Sequence, residues 1–141
     1  MTEAPSDTGA RLPPGLEQGV SHFNGRRYLH ADGAWRRATL ALPEAERPFL
    51  EGLRLVTWGL YYVDRRNYRS ARHELVAGLA QLARFPPGHS GLALDEVVDI
   101  GVRLLWQLDD GVSVYLIPPV IKRVRVRGTE TVADDPLEAG R

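Results

Sequence analysis

A chain of 141 residues, 43% of them hydrophobic, has the size of one domain and can bury a core unaided; this excludes a disordered chain and a staple-dependent miniature fold. Eighteen basic residues balance eighteen acidic ones, so no net charge draws the chain to nucleic acid or to an anionic membrane. The absence of cysteine removes disulfides, thiolate nucleophiles and zinc–thiolate centres together, and it suits a reducing, cytoplasmic setting.

Residues 1–14 are polar and rich in Pro and Gly, and read as a disordered lead-in. They lack the basic start and apolar run of a signal peptide. Pro13 and Pro14 set up a first helix on Leu16, Val20 and Phe23, with Gly25 as its expected left-handed stop. A second helix is expected from about Arg26, its inner face reading Tyr28, Asp32 and Trp35, flanked by Leu29 and Ala38. Asp32 is the odd member, a carboxylate on an apolar stripe. Pro43, Glu44 and Glu46 open a third helix, where a proline and acids suit the first turn. Its face of Phe49, Leu53, Val56 and Leu60 is widened by Leu50, Trp58 and Tyr61, which predicts a central position in a bundle.

Asn67 is a good N-cap for a fourth helix with Ala71, Leu75, Leu79 and Leu82 on its buried face; the run from Phe85 through Pro86, Pro87 and Gly88 ends it. A fifth helix from about Leu94 carries Val97, Ile100, Leu104 and Leu108, with Val98, Val102 and Leu105 expected to broaden the same buried stripe. It stops at Asp109, Asp110 and Gly111. The period then changes to alternation at Val112, Val114 and Leu116, and again at Val124 and Val126 between arginines, which predicts an extended arm or an edge hairpin. Residues 128–141 read as a disordered acidic tail. No internal repeat is legible, and no apolar run reaches the roughly 20 residues of a membrane span. The predicted fold is therefore all-α: about five helices and a short extended or β C-terminal arm, in one domain over residues 15–127.

The landmarks in order resemble the DUF309 family over roughly residues 16–108. Phe23, Asn24 and Gly25, then Tyr28 and Trp35, are similar to that family's opening. Arg47, Phe49, Leu50, Gly52 and Leu53 resemble its long central helix. Asn67 with Ser70, Ala71 and Arg72 resembles its turn into the next helix. The resemblance implies a small all-helical bundle. It also shows departures: the family's usual His-Glu pair before the tryptophan is replaced by Asp32 and Gly33, its following Glu by Arg36, and its His at the end of the central helix by Tyr62. Any ligand or acid–base role carried by those groups is lost with them.

Two surfaces are candidates for binding. Asp32, Trp35, Arg36 and Tyr62 could line a pocket, with Asp32 either a pocket acid or a structural partner. Arg65, Arg66, Arg69 and Arg72 gather at a helix start, where Arg65, Arg69 and Arg72 share a face that could cradle phosphate or a nucleic-acid backbone. The competing reading of the arginines is a solvated face complementing a helix C-terminus. His22, His30, His73 and His89 have no metal-ligand spacing, although His22 could meet His30 or Asp32; no metal or cofactor is expected. Ser90, between His89 and Gly91, fits no nucleophile motif and reads as a flexible loop, so no catalytic residue is expected. Lys122 through Arg127 reads first as an aggregation-resistant edge. The functional expectation is a non-enzymatic interaction or structural domain, with a protein partner or a homo-oligomer and with nucleic acid and membrane disfavoured. The alternatives are an enzyme or small-ligand binder at Asp32, Trp35 and Tyr62, and phosphate-backbone binding by the arginines.

Overall fold

The computed structural model describes residues 14–111 and 113–124. Five helices carry the fold: α1 (Pro14–Asn24), α2 (Tyr28–Thr39), α3 (Arg47–Asp64), α4 (Tyr68–Leu82) and α5 (Asp95–Asp110). The all-α bundle expected from the spacing is what forms. The lead-in and tail expected at the two ends lie outside the described residues, apart from Pro14, which already belongs to α1.

The helices pair in chain order. α1 packs antiparallel on α2 and α3 on α4; α2 then lies against α3, and α4 against α5, so that α3 is central. One continuous core runs through them, from Leu16, Phe23 and Trp35 through Leu53, Val56 and Leu75 to Val97 and Leu104. Most of the residues chosen by 3.6-residue spacing are in it.

The two hairpins repeat each other with an offset of forty residues, a regularity the sequence alone did not reveal. Arg26 and Arg66 are both left-handed, at φ 64° and 60°. The turn bonds correspond one for one: the amides of Gly25, Arg26 and Arg27 donate to Ser21, Phe23 and His22 carbonyls, and those of Arg65, Arg66 and Asn67 to Tyr61, Val63 and Tyr62. The left-handed residue of the first turn is thus Arg26, not the expected Gly25. The cause is the closure of the turn, where the next amide must swing back to the carbonyl five residues earlier. For the same reason α2 begins two residues later than expected, at Tyr28. Asn67 caps α4 as predicted, its Oδ1 accepting from the Ser70 amide at 3.3 Å. Before α3, Glu44–Glu46 form a 3-10 turn instead of extending the helix, and Pro48 sits in the first helical turn, where it has no amide to lose.

After α5, Gly111 turns left-handed at φ 71° and the chain runs back extended. Val114 and Leu116 face the core while Tyr115 and Ile117 face water, the alternation expected of them. Pro119 and Ile121 are buried. No hairpin forms within the described part of the arm. Instead β2 (Lys122–Arg123) pairs antiparallel with β1 (Leu92–Ala93), and Asn24 clamps the arm by accepting from the Ile121 amide at 2.8 Å and donating to its carbonyl at 3.0 Å. Val112 and residues 125–127, counted in the expected arm, lie outside the described residues.

Candidate functional site

The residues of the expected α2 pocket are taken up by structure. Asp32 is only 4% exposed, and its Oδ1 accepts from Arg54 Nε at 2.7 Å. α2 crosses α3 at this point, so the two charges meet between helices. Trp35 is fully buried, and its indole N–H donates to the Leu16 carbonyl at 3.1 Å, tying α2 to α1. Arg36 points to water, and Tyr62 is half-buried in an aromatic cluster with Trp58 and Tyr61. Asp32, Trp35 and Tyr62 are thus each engaged with a different neighbour in the fold, while Arg36 faces solvent.

The arginines around the α3–α4 turn also diverge. Arg72 Nε reaches Asp109 at 2.6 Å, and this partner raises its pKa. Arg65 lies over the Tyr61 ring, 5.5 Å from its centre. Arg66 lines a shallow groove with Tyr68, Gln107 and Val114, and Arg69 is exposed. One of the four charges is thus neutralised across helices and another is laid back on α3.

His22 and His30 do meet, with ring centres 5.3 Å apart. Arg27 Nε donates to His22 Nδ1 at 3.1 Å, which requires that nitrogen to be unprotonated. Partial desolvation and then the neighbouring Arg27, His30 and Arg37 lower the pKa of His22. Among the described residues, no group of three His, Cys, Asp or Glu side chains is placed to hold a metal ion.

An open apolar cleft of about 450 Å³ lies elsewhere, between α4, α5 and the loop that joins them. Phe49, Leu79, Leu82 and Phe85 form its inner wall, and Val98 and Val102 of α5 its outer one. His89 closes one end. Its ring packs 4.6 Å from Phe49 and 4.8 Å from Phe85, centre to centre. The His89 Nε2 lies 2.7 Å from Glu46 Oε1, and Ser90 Oγ donates to the same oxygen at 3.1 Å. The loop read as flexible from sequence is therefore pinned to the start of α3. Ser90 holds a left-handed φ of 58° within this pinned loop. Its hydroxyl bonds the carboxylate and not the imidazole, so His89 and Ser90 do not form a nucleophile–base pair.

The cleft opens onto a second feature that sequence reasoning missed. Val98, Val102 and Trp106 stand four residues apart along α5 and are 38%, 44% and 71% exposed. Val98 and Val102 were expected to broaden the buried stripe. They do not, because α5 is the last helix of the described stack and no later helix among the described residues covers that face. The signal was present, since the apolar positions of α5 cover more of its circumference than one neighbour can hide.

No helix among the described residues is long and apolar enough to cross a membrane. Compared with models of known families, with curated proteins and with solved structures, the chain finds no match.

Proposed function

We propose that the chain is a non-enzymatic interaction domain of the DUF309-like helical kind, working through the outer face of α5 and the cleft beside it. One observation carries the reading: Val98, Val102 and Trp106 are exposed at four-residue steps along α5, and the first two also line an open apolar cleft. Grouped, exposed apolar side chains of this size mark contact surfaces. Anchors repeated at four-residue steps are the pattern by which one helix engages another protein surface. The groups best suited to chemistry, Asp32 and His89, are each committed to an internal partner. The all-helical bundle is what kinship with the DUF309 family implies, and the loss of that family's His-Glu pair favours contact over inherited chemistry. A cysteine-free sequence supports work in the cytoplasm.

The test is a photo-crosslinking residue, p-benzoylphenylalanine, placed at position 106 and, as control, at exposed Leu40 in the first hairpin. Irradiation of cells making the full chain is expected to give a protein adduct from position 106 and none from position 40. Silence at position 106 overturns the reading. A small apolar ligand in the cleft is the second reading, favoured by a volume within the range of small-molecule sites. A thermal-shift screen separates the two, since a true ligand must raise the melting temperature.

A further inference from the structure

We infer that the first hairpin carries an anion site, in which His22, Arg27, His30 and Arg37 take the phosphate group of a small molecule. The site stands apart from α5 and does not rest on the interaction reading.

The four side chains lie around one open stretch of surface. His30 and Arg37 are seven residues apart on α2, so they share a flank of the helix. Helical side chains lean toward the N-terminus of their helix. Arg37 does so, and its Nη1 would stand 3.5 Å from a β-carbon placed on Gly33, one turn nearer His30. That β-carbon would meet no other group within 4 Å beyond its own helix, so the space above Gly33 is open. From α1, His22 brings its ring to 5.3 Å from that of His30, centre to centre. Arg27 reaches His22 from the turn between the two helices.

The charge gathered here has one sign. Elsewhere in the fold arginines stand beside carboxylates, as Arg26 does with Asp64, Arg54 with Asp32 and Arg72 with Asp109. Among the described residues, no carboxylate pairs with His22, Arg27, His30 or Arg37. After partial desolvation, the influences that hold the His22 pKa down are all cationic: Arg27, His30 and Arg37. Like charges grouped without an acid raise a local positive potential, and an anion relieves it.

The donors also suit a phosphate. Arg27 Nε occupies His22 Nδ1 at 3.1 Å, so the ring proton of neutral His22 sits on Nε2. That N–H, the His30 ring and the Arg37 guanidinium are not bonded to any described residue. A phosphate monoester offers several acceptor oxygens and close to two negative charges, which matches donors arriving from two helices.

NMR of the histidine ring C–H signals in the full chain tests the inference. Inorganic phosphate, exchanged against chloride at constant ionic strength, is expected to move the His22 and His30 signals saturably and to raise the titration midpoint of His22. The His73 and His89 signals serve as controls and should stay still. Arg37→Ala is expected to weaken phosphate on the order of tenfold, the loss of one charge-assisted contact. Gly33→Glu sets a carboxylate among the cations and should abolish binding, whereas Gly33→Gln has the same size without the charge and should keep most of it. Circular dichroism checks that each variant is folded. Glycerol 3-phosphate identifies the source: tighter binding than inorganic phosphate supports a phosphorylated small molecule, and equal binding supports the site with free phosphate as its ligand. Signals unmoved by both probes overturn the inference, as does a response matched by chloride, or equal losses from Glu and Gln at position 33. A single-stranded RNA decamer that moves these signals when neither small probe does also overturns it, and makes the face a nucleic-acid surface.

Discussion

Tyr28 and Asp32 stand about one turn apart on α2, and both are buried. Asp32 meets the guanidinium of Arg54, so its desolvation is offset by a charge-assisted bond. Removing Arg54 alone strands a carboxylate in the interior. Arg54→Met is expected to cost about 3 kcal/mol, the lower end for breaking a buried pair because Arg54 itself is partly exposed. Asp32→Leu/Arg54→Met should recover most of that, since a buried pair replaced by apolar groups is often close to neutral. Urea unfolding of both variants decides; equal losses would show that the carboxylate is not the source of the cost. Tyr28 presents the opposite case. Its hydroxyl is buried and makes no well-formed hydrogen bond among the described residues, although the Arg26 guanidinium lies close to it. Burial, reinforced by the nearby Asp64 charge and opposed by the charge and polar contact of Arg26, pushes its pKa from 10.0 to about 12. The folded state thus holds the phenol proton more tightly than the unfolded chain. The stability linked to that proton is complete below pH 10 and is lost as pH rises from there toward about 12. Tyr28→Phe is expected to gain about 1 kcal/mol at neutral pH, by removing an unsatisfied hydroxyl, and to flatten this alkaline decline. A loss of stability in Tyr28→Phe at neutral pH would show that the hydroxyl has a partner.

At the scale of elements, each hairpin closes through a glycine. Gly19 of α1 lies against the Trp35 indole of α2, and Gly59 of α3 lies against Leu75 of α4, forty residues on. A methyl at Gly19 would fall inside the indole, whereas one at Gly59 would stand 2.6 Å from Leu75 Cγ. Alanine gains up to about 1 kcal/mol over glycine in helix propensity. Overpacking a closed interface costs about 1–3 kcal/mol and therefore outweighs that gain at Gly19. Trp35 is also held by its bond to Leu16 and cannot retreat, whereas Leu75 can change rotamer. Gly19→Ala is thus expected to lose more stability than Gly59→Ala, and to change the near-ultraviolet dichroism of Trp35, which Gly59→Ala should leave alone. The five helices were legible because apolar spacing reports burial directly, and Asn67 was legible because capping is local chemistry. The repeat was not, since a Gly–Trp contact in one hairpin becomes a Gly–Leu contact in the other and conserves fit without conserving identity. The cleft was hidden for another reason: Phe49, Leu79, Phe85, His89 and Val98 come from separate segments that only tertiary packing brings together. The exposure of Val98 and Val102 was hidden because a sequence shows how wide a helix's apolar stripe is, and not how many neighbours arrive to cover it.

For the described fold as a whole, the arm of residues 113–124 ties the last helix, α5, back to the first, α1. It joins α5 to α1 through the Asn24 clamp on Ile121 and the Arg123–Glu17 pair, and to the cleft loop through the Val124 amide, which donates to the Gly91 carbonyl at 2.7 Å. The arm is held to the helices by the two clamp hydrogen bonds, worth about 1 kcal/mol each, by one exposed ion pair and by the burial of Pro119 and Ile121. Most of its other residues are exposed or half-buried. With so few anchors it is expected to open without the helices opening. Lys122 and Arg123 lie within it and are trypsin sites. Asn24→Ala removes both clamp bonds, about 2 kcal/mol, and should raise the rate of tryptic cleavage at these sites between tenfold and thirtyfold. The melting temperature of the bundle should move little, because Asn24 itself contributes no apolar packing to the core. An arm that stays protected in Asn24→Ala would place its anchorage in Pro119 and Ile121 alone. A bundle that melts together with arm release would make the arm part of the cooperative core, and the tie between the arm and α1 would then be a condition of the fold.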